Sequence, residues 1–129
     1  MTRPFPIRPS ALLLAALFTL GACSSSPTAP IVCDASARAG ITVTIKDAET
    51  LVPLAATARG VVRDGAYVDS LMLVAPDTRV AAFERAGTYS VEVRLTGYQN
   101  FTASGVRVTA GTCHVNAVVV PALLLKLRS

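Results

Sequence analysis

The residues that can do chemistry are few: one histidine, three cysteines and eight carboxylates in 129 residues. Nucleophilic catalysis needs a base within reach of a serine or cysteine. His114 is the sole histidine and directly follows Cys113. Neighbours on a strand point to opposite faces, so the imidazole is expected to face solvent, away from the sulfur. The same geometry makes a Cys–His metal pair a poor reading. Asp34, Asp47, Glu49, Asp64, Asp69, Asp77, Glu84 and Glu92 are spread along the chain. Most sit in turns or at outward strand positions, where solvated charge is the ordinary state. Asp64 and Asp69 flank a hairpin and can approach a calcium ion, but an oxygen cage needs more ligands close together. These residues assign no catalytic group, no metal site and no cofactor.

The elements that must position these groups are strands. The clearest is the stretch from Gly87 to Tyr98, where Tyr89, Val91, Val93 and Leu95 alternate with Ser90, Glu92 and Arg94. Period-two alternation places the two sets on opposite faces. Residues 41–45 read as an earlier strand, with Ile41, Val43 and Ile45 on one face and threonines on the other. A second runs through about 56–63. Asp64-Gly65 then marks a tight hairpin, and a return strand covers 67–74. Its continuous apolar run at 71–74 calls for a buried edge or a crossover between sheets. A short strand follows at 80–84. Residues 98–104 read as loop or irregular strand, 106–108 as a short strand and 113–120 as the last main one. Pro121 is expected to interrupt that strand, and 123–125 to continue as an edge. Short strands, Gly/Pro/Asp turns and no helical period predict an all-β antiparallel sandwich in a monomer.

The first residues read differently. Arg3 and Arg8 precede a short apolar run at 11–20, the layout of a secretory signal peptide. That run is too short for a permanent membrane helix. Leu20, Ala22 and Cys23 resemble the lipobox of bacterial lipoproteins, with Gly21 less usual at its position. The resemblance implies that Cys23 becomes a lipidated N-terminus; the alternative is an ordinary secretory signal with a chance cysteine. Ser24 beside it suggests, by analogy with lipoprotein sorting in Gram-negative bacteria, the outer membrane. Residues 1–22 are then leader, 23–32 a Ser/Pro tether, and 33–129 the domain. Removing the leader takes away Arg3 and Arg8 and leaves ten Lys/Arg against eight Asp/Glu. The balance is near neutral and the charges look scattered, which gives nucleic-acid binding little support. The absence of tryptophan argues against a stacking platform for bases or sugars. With Cys23 on lipid, Cys33 and Cys113 remain as a pair in an oxidising compartment. A disulfide is the favoured reading and two buried free thiols the alternative.

Three pieces carry a family resemblance: Gly87-x-Tyr89-x-Val91-x-Val93, then Gly97-Tyr98, then Val106-x-Val108-x-x-Gly111. In this order they resemble the carboxypeptidase regulatory-like domain over roughly residues 40–120. Thr96 departs from the proline often found before Gly-Tyr. The resemblance implies a seven-stranded Greek-key sandwich of transthyretin type, serving as a non-catalytic module, and it transfers no functional residues. The hydroxyisourate hydrolases of that fold use more than one histidine and a C-terminal Tyr-Arg-Gly-Ser. This chain reads Leu127-Arg128-Ser129 at that place, with one histidine. The Asn100-Phe101-Thr102 sequon is incidental in a bacterial lipoprotein. The expected role is a lipid-anchored module binding a protein or envelope component, with a carbohydrate-binding module as the alternative.

Overall fold

A computed structural model describes residues 28–128, and both sheets lie in the unit Val32–Ser129. Cys23 and the expected leader lie outside the described residues. Among the described residues there is no helix, and the chain forms two sheets. Nine strands build them: β1 (Ala39–Asp47), β2 (Arg59–Asp64), β3 (Tyr67–Ser70), β4 (Met72–Ala75), β5 (Thr78–Phe83), β6 (Gly87–Arg94), β7 (Phe101–Ala110), β8 (Val115–Asn116) and β9 (Val118–Leu124). One sheet has the order β4-β5-β1-β9 and the other β3-β2-β6-β7-β8.

The alternation read at β6 is realised. Tyr89, Val91 and Val93 are buried, while Ser90 and Arg94 are exposed and Glu92 half-buried. Ile41, Val43 and Ile45 of β1 are wholly buried, and they form one core cluster with Val62, Tyr89, Val91, Val93, Val108, Val120, Ala122 and Leu124. Burying a side chain of this size stabilises by about 1.5–3 kcal/mol. The cluster therefore fixes which way each strand faces.

The Asp64-Gly65 hairpin also forms. Asp64 pairs with Tyr67, and Gly65 takes φ +57° at the first turn position, a conformation that glycine reaches without steric cost. Gly87 serves a close approach instead. A Cβ there would lie 2.5 Å from an Asp64 carboxylate oxygen.

Several expectations change. The return strand after the hairpin is two strands, β3 and β4, in different sheets, and the buried Leu71 between them is the crossover. Of residues 98–104, read as loop or irregular strand, 101–104 belong to the ten-residue β7. Its pairing with β6 carries a bulge, Ser104 and Gly105 opposing Ser90. The last main strand is divided into β8 and β9. Pro121 does not interrupt β9 but lies within it. β9 is an edge strand, where a missing N–H can face away from the ladder. The pairing of β9 with β1 is parallel, Ile41 opposite Val118 through Asp47 opposite Leu124, so the four-stranded sheet is mixed rather than antiparallel.

Candidate binding surface and side-chain clusters

Cys33 and Cys113 are joined, with Cα atoms 5.2 Å apart. The residues after them, Asp34 and His114, meet at the same place. His114 Nδ1 lies 2.7 Å from Glu84 Oε1, and Nε2 lies 3.1 Å from Asp34 Oδ1. The second contact is too poorly aligned for a hydrogen bond, and Nε2 is buried without another partner. The side chain is only 21% exposed. His114 therefore does not face solvent as expected. The bend at residues 112–114 breaks the alternation that the expectation assumed.

Glu84 holds the cluster together. Its Oε1 accepts the Arg38 N–H at 2.6 Å, and its own N–H donates to the Arg38 carbonyl. The Arg38 N–H and the His114 ring hold the Glu84 carboxyl below its ordinary pKa. The Ser36 N–H and the Arg38 guanidinium do the same for Asp34. A histidine between carboxylates has the form of a base with its orienting groups. The neighbouring Cys113 sulfur is bound in the disulfide, however, and is not a free nucleophile beside the ring. The arrangement clamps residues 34–38 onto the end of β5 and the start of β8.

The other polar clusters are fastenings too. Asp47 caps the turn after β1, accepting the N–H groups of Glu49 and Thr50, and it accepts the Tyr98 hydroxyl at 2.8 Å. Tyr89 donates to the Arg85 carbonyl at 2.8 Å. Arg85 reaches Asp64 at 2.7 Å and lies 4.0 Å over the Tyr67 ring. Tyr89 and Tyr98 thus keep their hydroxyls paired, Tyr89 with its ring in the core. Asp64 and Asp69 do not converge on an ion site. Asp64 binds Arg85, and Asp69 accepts the Tyr67 hydroxyl and the Ala82 N–H. Among the described residues no group of three or more His, Cys, Asp or Glu is placed to hold a metal ion.

The surface is organised where the sequence looked scattered. In β6, residues 88, 90, 92 and 94 point outward, opposite the buried Tyr89, Val91 and Val93. Arg59 of β2 is registered with Arg94, Arg63 with Ser90, and Arg107 of β7 with Thr88. Strand pairing therefore gathers Arg59, Arg63, Arg94 and Arg107 on the outer face of the five-stranded sheet, all exposed. Glu92, paired with Arg94, is the carboxylate in this array. Arg59, Arg63 and Arg107 make no ion pair among the described residues. A shallow groove of about 340 Å³ runs between Arg59, Arg63, Arg94 and Glu92, with Val61 in its floor and Ser70 at its side. Sequence reading missed this face because arginines far apart in the chain become neighbours only through the β2–β6–β7 register. The even spacing of Arg59 and Arg63, four residues apart within one strand, was the local signal.

The outer face of the four-stranded sheet is different. Met72, Val80, Thr42 and Val119 are registered in one row across its four strands. Met72 and Val119 are 52% and 62% exposed. Neither a comparison with protein-family models nor one with curated proteins finds a match.

Proposed function

We propose that this protein is a non-catalytic, lipid-anchored β-sandwich of the bacterial cell envelope, held by Cys23 in the outer membrane and binding a protein or envelope component through its exposed sheet surface. The observation that carries this reading is the division of labour among polar side chains. Asp47, Arg85, Tyr89, Tyr98, His114 and Glu84 are engaged in fastening one segment to another. Arg59, Arg63 and Arg107, free of such duties, stand together on an outer sheet face. Surface complementarity of that kind suits binding rather than bond-making.

We read the two-sheet arrangement as a transthyretin-like sandwich of the carboxypeptidase regulatory type. The order of the Gly87-x-Tyr89, Gly97-Tyr98 and Val106-x-Val108 pieces supports that reading. The split of one expected strand at Leu71, and the division of the last one into β8 and β9, account for much of the strand-count difference. A carbohydrate-binding role is the weaker alternative. The outward positions of the five-stranded sheet are filled by arginine, valine, serine, threonine and glutamate, without an aromatic ring to stack on a sugar.

The test is fractionation with partner capture. Cys23→Ala is expected to move the protein from the membrane fraction to the soluble one. The chain from Ser24 onward, used as bait on envelope extracts, is expected to retain a specific component. Membrane retention of the alanine variant after normal leader cleavage contradicts the anchor. Hydrolysis or transfer of a supplied substrate by the same chain contradicts the non-catalytic reading.

A further inference from the structure

We propose that the arginine face of the five-stranded sheet docks on a lipid surface bearing anionic phosphate head groups, laying the domain against the membrane to which Cys23 ties it. The setting rests on the lipid-anchor reading above; the chemistry rests on the face itself. Four guanidinium groups lie on three adjacent strands, against the single carboxylate of Glu92. Arg59 and Arg63 are four residues apart on one strand, about 13 Å, and Arg94 stands across from Arg59. Arginine presents a planar fork that matches phosphate oxygens and sheds water more readily than an ammonium. Thr88, Ser90 and Thr102 occupy outward positions between these arginines and add hydroxyl donors. The array is spread out and shallow. It matches a plane of phosphates better than one small anion, which needs donors converging in an enclosed site.

The point of chain entry agrees. Cys33 is bonded to Cys113 in the turn that follows β7. The chain therefore enters the folded unit at the turn between β7 and β8, at one edge of the sheet that carries the arginines, where it is also clamped to the end of β5. The ten residues 23–32 span at most about 35 Å when extended. That length keeps the face within reach of the head groups, where attraction acts over a Debye length of about 8 Å. Acyl chains already supply the anchorage. The contribution of the face is orientation, which turns the exposed Met72 and Val119 of the four-stranded sheet away from the bilayer.

The experiment uses the chain from Ser24 onward, which keeps the whole unit Val32–Ser129, and vesicles of phosphatidylcholine with and without phosphatidylglycerol. The protein is expected to sediment with the anionic vesicles only, and to be released by salt. A basic residue near an anionic surface is worth about a factor of five in partitioning. Arg59→Ser with Arg63→Ser is therefore expected to weaken binding by an order of magnitude or more. Lys46→Ser with Lys126→Ser removes the same charge elsewhere and is expected to leave binding within about twofold. Should the arginine pair fail to fold by circular dichroism, Arg107→Glu at the far end of the face reads the same property. Equal binding to both kinds of vesicle overturns the proposal, as does equal weakening by the two double variants. Capture of polygalacturonate without vesicle binding overturns it in favour of an acidic polysaccharide. Because the chain lacks Cys23, failure here leaves the anchor untouched, and release of Cys23→Ala in cells leaves the face untouched.

Discussion

Asp47 shows what single residues contribute. The Thr50 N–H, the Tyr98 hydroxyl and the Glu49 N–H hold its pKa at about 2, below the ordinary 3.8. The folded chain binds this proton less readily than the unfolded one. Its stabilisation is therefore complete above about pH 4 and is lost as the pH falls through about 2. Asp47→Asn is expected to lower stability at neutral pH and to flatten its fall between about pH 4 and 2, read from urea midpoints. Asp34, Asp77 and Glu84 are also shifted down, so some slope remains; an unchanged slope contradicts the assignment. Arg79 is the second case. Its guanidinium is buried and donates to the Ala55 and Leu71 carbonyls, each at 2.7 Å. Burial, with Arg59 nearby, pushes its pKa down. Arg79→Met leaves both carbonyls without that donor and is expected to cost about 2–4 kcal/mol in urea denaturation. A loss under about 1 kcal/mol means water replaces the guanidinium. Asp47 read as a turn residue, and its bonds to the Glu49 and Thr50 N–H groups bear that out; its bond to Tyr98 and the burial of Arg79 against Ala55 depend on segments more than twenty residues away and left no local signal.

At the scale of elements, legibility followed the distance between partners. The β6 alternation and the Asp64-Gly65 hairpin are local, and both are present as read. The β1–β9 pairing joins strands about seventy-seven residues apart, and no local pattern states whether such partners run parallel. The cysteines bridge a comparable separation of 80 residues, and they were legible because the expected export to an oxidising compartment favours pairing whatever the intervening fold. The bridge ties residues 34–38, which have no strand of their own, to the turn before β8. The chain-entropy model assigns such a loop about 4–5 kcal/mol. Reduction is expected to lower the melting temperature clearly and to free residues 34–38 to protease, both read on the chain from Ser24 onward. Two thiols that alkylate freely in the unreduced folded protein contradict the bridge.

Among the described residues the two sheets present unlike outer faces, one rich in arginine and one with several exposed apolar side chains. Composition concealed the contrast, since ten basic and eight acidic residues beyond the expected leader average to near neutrality. It arises because the carboxylates that pair elsewhere serve hairpins, turns and the disulfide end, and Glu92 pairs with Arg94, leaving Arg59, Arg63 and Arg107 without counter-charges. On the apolar face, Val119 and Leu123 of edge strand β9 are 62% and 49% exposed. An edge strand with exposed apolar side chains invites association, although Pro121 between these two residues limits pairing along it. Val119→Lys with Leu123→Lys removes apolar surface that folding leaves in water. The pair is therefore expected to change unfolding free energy by no more than about 1 kcal/mol. It is also expected to reduce fluorescence of an apolar dye and any concentration-dependent association seen by light scattering. If the double variant instead unfolds the chain while dye binding of the parent is already nil, then the face is covered in solution, and β9 is a buried strand rather than a free edge.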